Sequence, residues 1–132
     1  MFKTKIFKVA YAIVMAEGWD PGATIVASSL GTRSWRNHNP GNIRLSIFQS
    51  GQKDGFAIFD NDIVGFFAII HQLTLYAAGG SANVKPTDSL GFAMAKYSGT
   101  TIGSPQWNTY IAIVEKISGV SRNDQIKSIL QN

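Results

Sequence analysis

The sequence contains no cysteine, which excludes disulfides and any cysteine-built zinc site and leaves the redox compartment unencoded. Only two histidines are present, His38 and His71, and their spacing matches no metal-ligand motif. No metal and no cofactor is expected. No stretch approaches the roughly 20 apolar residues of a membrane span, so no membrane span is expected. There is no internal repeat, no linker and no run of basic residues beyond Lys3, Lys5 and Lys8. That scatter argues against a dedicated nucleic-acid surface, and no nucleic-acid partner is expected.

What the chain does have is an ordinary globular balance. Its 132 residues are 45% hydrophobic and 15% charged, enough for one domain, 1–132, with a real core. The net charge of +4 suits an anionic polymer, either nucleic acid or a bacterial cell wall. Lys3, Lys5 and Lys8 ahead of the uncharged residues 9–16 imitate a secretory signal, but no small-x-small cleavage site follows. Cleavage there would also remove the first helix, so no clear signal peptide is expected.

That first helix is read over residues 2–17. Ile6, Val9, Ala10 and Ile13 recur at three- and four-residue steps, and Gly18 is a stop. At about 100° per residue, Phe2, Ile6, Ala10, Ile13 and Glu17 share a face, opposite Thr4, Lys8 and Tyr11. Glu17 therefore stands where Leu or Ile would be expected. Burial and the negative end of the helix dipole both disfavour its charged form. A carboxyl kept protonated near neutral pH is what acid-assisted cleavage of a glycosidic bond requires. A solvated glutamate ending an ordinary helix fits the same pattern.

Farther along, Asp20-Pro21-Gly22 reads as a turn and residues 34–42 as a loop, with Pro40-Gly41 its turn signal. Residues 43–48 and 55–59 read as the two strands of a β-hairpin. Asp60, Asn61 and Asp62 offer caps for a helix over 62–78. That helix is apolar on nearly every side, as a buried central helix would be. Gly79-Gly80 ends it. Thr87 or Asp88 can cap a shorter helix to about Tyr97, and Pro105 opens another to about Ser118. On the latter, Trp107, Tyr110, Val114 and Ile117 form the apolar stripe, with Glu115 and Lys116 off it. Ser121 with Asp124 resembles a capping box for a terminal helix. The fold class expected is α+β, mostly α.

The order of these elements resembles the lysozyme-like peptidoglycan-cleaving proteins of bacteriophages, virion-associated muramidases and lytic transglycosylases carrying an Asn-Asn-Pro-Gly-Asn-Ile loop. The likeness runs over residues 9–126 and rests on Glu17-Gly18, Arg36 ahead of residues 39–43 (NPGNI), and residues 55–59 (GFAIF). His38 departs from the pattern, standing where the family usually has an asparagine. The resemblance implies a lysozyme-like fold with a small β-hairpin lobe. It implies Glu17 as the acid cutting between N-acetylmuramic acid and N-acetylglucosamine. It also implies peptidoglycan glycan strands as the partner, alongside other virion proteins, and a place in the phage virion or at the bacterial periplasm and cell wall.

Among the remaining residues, Asn39 and Asn42 carry amides suited to sugar hydroxyls and acetamido groups, though Asn also serves turns. His38 and Trp35 stand beside them as substrate contacts, with Trp19 as a second stacking aromatic. The resemblance places Tyr110 on a helix whose tyrosine reaches toward the acid; core packing explains it as well. Asp60 is the best second carboxylate, although capping explains it equally, and Asp54 is the weaker alternative. His71, within an apolar helix, reads as a core histidine. With no second carboxylate facing Glu17, the 6-hydroxyl or N-acetyl group of the muramyl residue completes a transglycosylase reaction. With Asp60 or Asp54 facing it, hydrolysis follows. A binding protein that kept the fold without turnover is the alternative of a different class.

Overall fold

A computed structural model of the chain describes residues 4–19 and 32–131. Phe2, Lys3 and the turn expected at Asp20-Pro21-Gly22 lie outside the described residues. Those described are mostly helical, with one two-stranded antiparallel sheet. In order they form α1 (Lys5–Ala16), α2 (Arg33–Arg36), β1 (Gly51–Lys53), β2 (Phe56–Ile58), α3 (Asp62–Ala78), α4 (Leu90–Ser98) and α5 (Pro105–Ser118). A 3₁₀ turn, Ile126–Leu130, follows. The contacts divide the chain into two compact units, Ile13–His71 and Met1–Ala12 with Gln72–Asn132. No helix among the described residues is long and apolar enough to cross a membrane.

Within α1, Val9, Ala10, Ala12, Ile13 and Val14 are buried while Tyr11 and Met15 are exposed. Of the stripe expected from the sequence, Val9, Ala10 and Ile13 are buried and Ile6 is half-buried, and Ala12 and Val14 widen it. The loop expected over 34–42 begins instead as the single helical turn α2, closed by Asn37 N donating to Arg33 O at 3.0 Å.

The hairpin differs from expectation in its first strand. Residues 43–48 form no strand; β1 is Gly51–Lys53, the segment that looked like a connection. Gly51 pairs with Ile58, Gln52 with Ala57 and Lys53 with Phe56. Asp54 and Gly55, with φ of 53° and 82°, turn the corner between them. Two consecutive residues at positive φ make the hairpin turn whose twist matches paired strands, and Asp-Gly is its usual sequence. This turn fixes the register, so the apolar residues 45–48 are left outside the ladder. Leu45 and Ile47 are 74% and 78% exposed.

Helix α3 has the expected bounds, but it is not enclosed on all sides. Ala68, Ile69, Leu73, Tyr76 and Ala77 are buried, whereas Ile63 and Phe67 are exposed. Residues 63 and 67 are one turn apart and share a face, which the apolar composition alone could not mark as outward. Its cap is Asn61, whose Oδ1 accepts from Val64 N at 3.0 Å. Asp60 is not the cap.

In the unit containing α4 and α5, Ser89 caps α4 by accepting from Phe92 N (3.1 Å), in place of Thr87 or Asp88. Asp88 instead accepts from Lys85 N at 2.7 Å. Helix α5 has the expected bounds, with Ser104 accepting from Trp107 N and Gly119 ending it in the left-handed region, but Ile117, read as part of its apolar stripe, is exposed and Ile111 is buried in its place. Trp107, Tyr110, Ile111 and Val114 are buried on α5. Trp107 Nε1 donates to Gly91 O at 3.0 Å, and a Cβ at Gly91 would stand 3.0 Å from the indole. That missing side chain lets α4 approach α5 closely. The terminal helix is the 3₁₀ turn alone. Asp124 Oδ2 reaches back to Ser121 N at 3.3 Å, but Ser121 Oγ accepts from Asn123 N, so no α-helical cap forms.

The end of α5 is tied to the following segment by Glu115. Its carboxylate accepts from Arg122 Nη2 (2.7 Å), Nε (3.1 Å) and N (2.8 Å). The Arg122 side chain, then its backbone N–H, hold the Glu115 carboxyl below the usual carboxylate range. The folded chain thus binds this proton less tightly than the unfolded chain. The contribution is complete above the usual range and is lost as pH falls through the lowered folded value. Glu115→Gln should flatten the acid side of the stability profile, from the usual carboxylate range downward, read as thermal midpoint against pH.

Candidate functional site

Glu17 stands at the C-cap of α1, set there by Gly18. At φ 73° Gly18 turns the chain, with Gly18 N donating to Met15 O (3.2 Å) and Trp19 N to Val14 O (3.3 Å). This paired closure ends a helix on a left-handed glycine and satisfies carbonyls of the last turn. Glu17 N still donates to Ile13 O at 2.8 Å, so its backbone belongs to the helix. The residue is half-buried.

The loop 37–42 is built around Asn39, which is wholly buried. Its Nδ2 donates to Ile43 O (2.7 Å) and Ala57 O (2.9 Å), and its Oδ1 accepts from Ile43 N (2.9 Å). An amide has two hydrogens to give, and both are spent inside the protein. Asn39, expected as a substrate contact, is therefore a residue that holds the loop. Its side chain ties the loop to β2, and Asn42 N donates to Asn39 O at 2.9 Å to close the turn.

Asn42 is placed differently. It is half-buried, with φ of 51°, a conformation asparagine tolerates better than most residues. Its Nδ2 lies 3.5 Å from Glu17 Oε1, and its Oδ1 accepts from Arg33 Nε at 3.3 Å. The Arg33 N–H can only donate, so the amide oxygen must face Arg33 and the nitrogen must face Glu17. A carboxylate, an amide and a guanidinium thus stand in line. At 3.5 Å the contact to Glu17 is the longest in the line and the weakest.

Two arginines meet the ring of Phe56. The Arg33 Cζ lies 3.5 Å and the Arg44 Cζ 4.3 Å from its centroid. Nothing in the sequence spacing marked Arg33, which lies outside the loop motif. Arg44 lies just past the Asn-Pro-Gly-Asn-Ile run.

His38 also has φ of 51°, so its backbone fits the conformation that an asparagine would take there. Its Nδ1 pairs with Asp62 Oδ1 at 3.1 Å, both groups being exposed. Asp62 had been read only as a capping candidate. The loop also presses directly on α3: a Cβ at Gly65 would overlap the His38 carbonyl oxygen and come within 2.7 Å of Pro40 Cδ.

The other expected residues are placed as follows. Asp60 is exposed after β2, and Asp54 is exposed at the hairpin turn. Neither makes any of the contacts that join Glu17, Asn42 and Arg33. Trp35 is half-buried on α2, and Trp19 is half-buried two residues past Glu17. Tyr110 is buried on α5, within the unit that holds Gln72–Asn132. His71 is half-buried on α3 and meets Phe48 edge-on, with ring centroids 5.2 Å apart. Among the described residues no three His, Asp or Glu side chains gather as a metal would require.

The two asparagines should separate cleanly by stability. Asn39→Ala strands the buried Ile43 N and Ala57 O and should cost about 2–4 kcal/mol in urea unfolding. Asn42→Ala, half-exposed, should cost less than about 1 kcal/mol by the same measurement. Gly65→Ala should cost about 1–3 kcal/mol, because loop and helix must part to admit one methyl group. Set against known proteins, the chain matches no family model, no curated sequence and no solved structure.

Proposed function

We propose that this chain is a lysozyme-like enzyme that cleaves the glycan strands of peptidoglycan, with Glu17 as general acid and then base. The observation that carries the proposal is the 3.5 Å approach of Asn42 Nδ2 to Glu17 Oε1, across a separation of 25 residues. Glu17 and the NPGNI loop are the two parts of the sequence on which the resemblance to phage peptidoglycan-cleaving proteins rests, and they meet here. Half-burial at the C-terminal end of α1 favours the neutral carboxyl that the first step needs. The Asn42 amide, donating to the same group, favours the anion needed in the second step.

In the first step Glu17 gives its proton to the glycosidic oxygen as the bond from that oxygen to the muramyl C1 breaks. In the second, the 6-hydroxyl of the same muramyl residue bonds to C1 and its proton passes to the Glu17 carboxylate. A 1,6-anhydro end forms, no water is consumed, and the acid is restored. This transglycosylase course is preferred over hydrolysis because the nearby carboxylates are otherwise disposed. Asp54 and Asp60 are exposed, and Asp62 is engaged by His38. The substrate places the protein's work at the bacterial envelope, reached from a virion or within the periplasm.

Glu17→Gln should reduce release of fragments from purified sacculi by at least about 100-fold while leaving sedimentation with sacculi intact. Mass spectrometry of the wild-type digest should find anhydro ends, lighter by one water than reducing ends. Reducing ends would mean hydrolysis. Clearing undiminished by Glu17→Gln would remove Glu17 as the acid, and binding without any wild-type release would leave a wall-binding protein.

A further inference from the structure

We propose that Arg33 and Arg44 form a clamp for a carboxylate of the glycan substrate, beside Glu17; the inference rests on the glycan-cleaving function proposed above. Both guanidinium groups lie against one ring, at 3.5 and 4.3 Å from the centroid of Phe56. Stacking uses the face of a guanidinium and leaves its in-plane N–H groups free, the edge that matches a carboxylate two bonds at a time. Arg33 spends only its Nε, on Asn42, keeping both terminal nitrogens. Among the described residues, the ion pairs are His38–Asp62 and Glu115–Arg122, and neither Arg33 nor Arg44 has an acidic partner. Two exposed guanidiniums against one buried ring, with no counter-charge among the described residues, form a ready seat for an anion.

Their position gives that anion an identity by class. Arg33 reaches Glu17 through two hydrogen bonds by way of Asn42, so the clamp adjoins the acid. The second cation lies beside the hairpin turn: a Cβ at Gly55 would be in van der Waals contact with Arg44 Nη1, at 3.4 Å. A neutral polymer of N-acetylglucosamine offers nothing to two guanidiniums. A muramyl glycan carries a lactyl carboxyl beside the scissile bond, free where the stem peptide is missing, and further carboxylates along the stem where it is present.

The experiment uses the Glu17→Gln protein as a non-cleaving binder, with and without Arg44→Gln. Affinity is measured by co-sedimentation at low salt on intact sacculi and on sacculi stripped of stem peptides by an amidase. Each polymer is also tested after its carboxylates have been converted to amides. Adding Arg44→Gln should weaken binding about tenfold or more, with Arg44→Lys falling between. Amidating the polymer should weaken the Glu17→Gln protein by a similar factor and the double variant no further. If amidation matters on stripped sacculi, the lactyl carboxylate is the ligand; if only on intact sacculi, the stem supplies it. Lys85→Gln, which removes an exposed charge elsewhere, should change binding less than twofold. An equal loss from Lys85→Gln, or no loss from Arg44→Gln in a protein whose parent cleaves sacculi, overturns the clamp alone. Failure to bind any of these polymers, with no cleavage by the wild type, overturns it together with the function on which it rests.

Discussion

The site depends on the buried amide of Asn39, which ties the loop that carries Asn42 to its own end and to β2. Residues 37–42 form no strand; their backbone is held by turn bonds and by Phe59 N donating to Asn37 O at 3.0 Å. To these the Asn39 side chain adds two hydrogen bonds given to carbonyls and one accepted from an N–H, with no exposure to water. Away from competing water such bonds are strong, and leaving any of them unmade is expensive. The carbonyls it binds belong to the loop's own end and to β2, so the side chain joins the loop to the hairpin. Gly65 seals the other side by letting the His38 carbonyl and the Pro40 ring rest on α3.

On that base stands the polar line from Arg33 through Asn42 to Glu17, in which one amide donates toward the carboxyl group and accepts from the guanidinium. His38 adds a bond from the loop to Asp62 that an asparagine could make only with a different reach, and its backbone sits in the same left-handed region an asparagine favours.

Much of the fold could be read directly from local signals. Helix α5 runs from Pro105 to the glycine that stops it, and α3 has the bounds its apolar run suggests. The end of α1 before Gly18 is likewise a local matter, decided by which residue can take φ near 73°. The misjudged strand is instructive. Residues 43–48 look more strand-like than Gly51–Lys53, yet the Asp54-Gly55 turn chooses its partners by geometry, and two residues of turn leave only one register. Of the caps, Asn61 was among the expected candidates, whereas Ser89 stands one residue past the acid that seemed suitable.

The sequence by itself determined where α3 and α5 begin and stop, that one carboxylate would end α1, and that an asparagine-rich turn would follow, because those features depend on backbone preferences within a few residues. Only the tertiary structure decided that Asn39 faces inward and Asn42 faces Glu17, that Phe56 gathers Arg33 and Arg44, and that Ile63 and Phe67 remain exposed. Two asparagines three residues apart have the same chemistry; which amide is buried depends on what the rest of the chain brings against the loop.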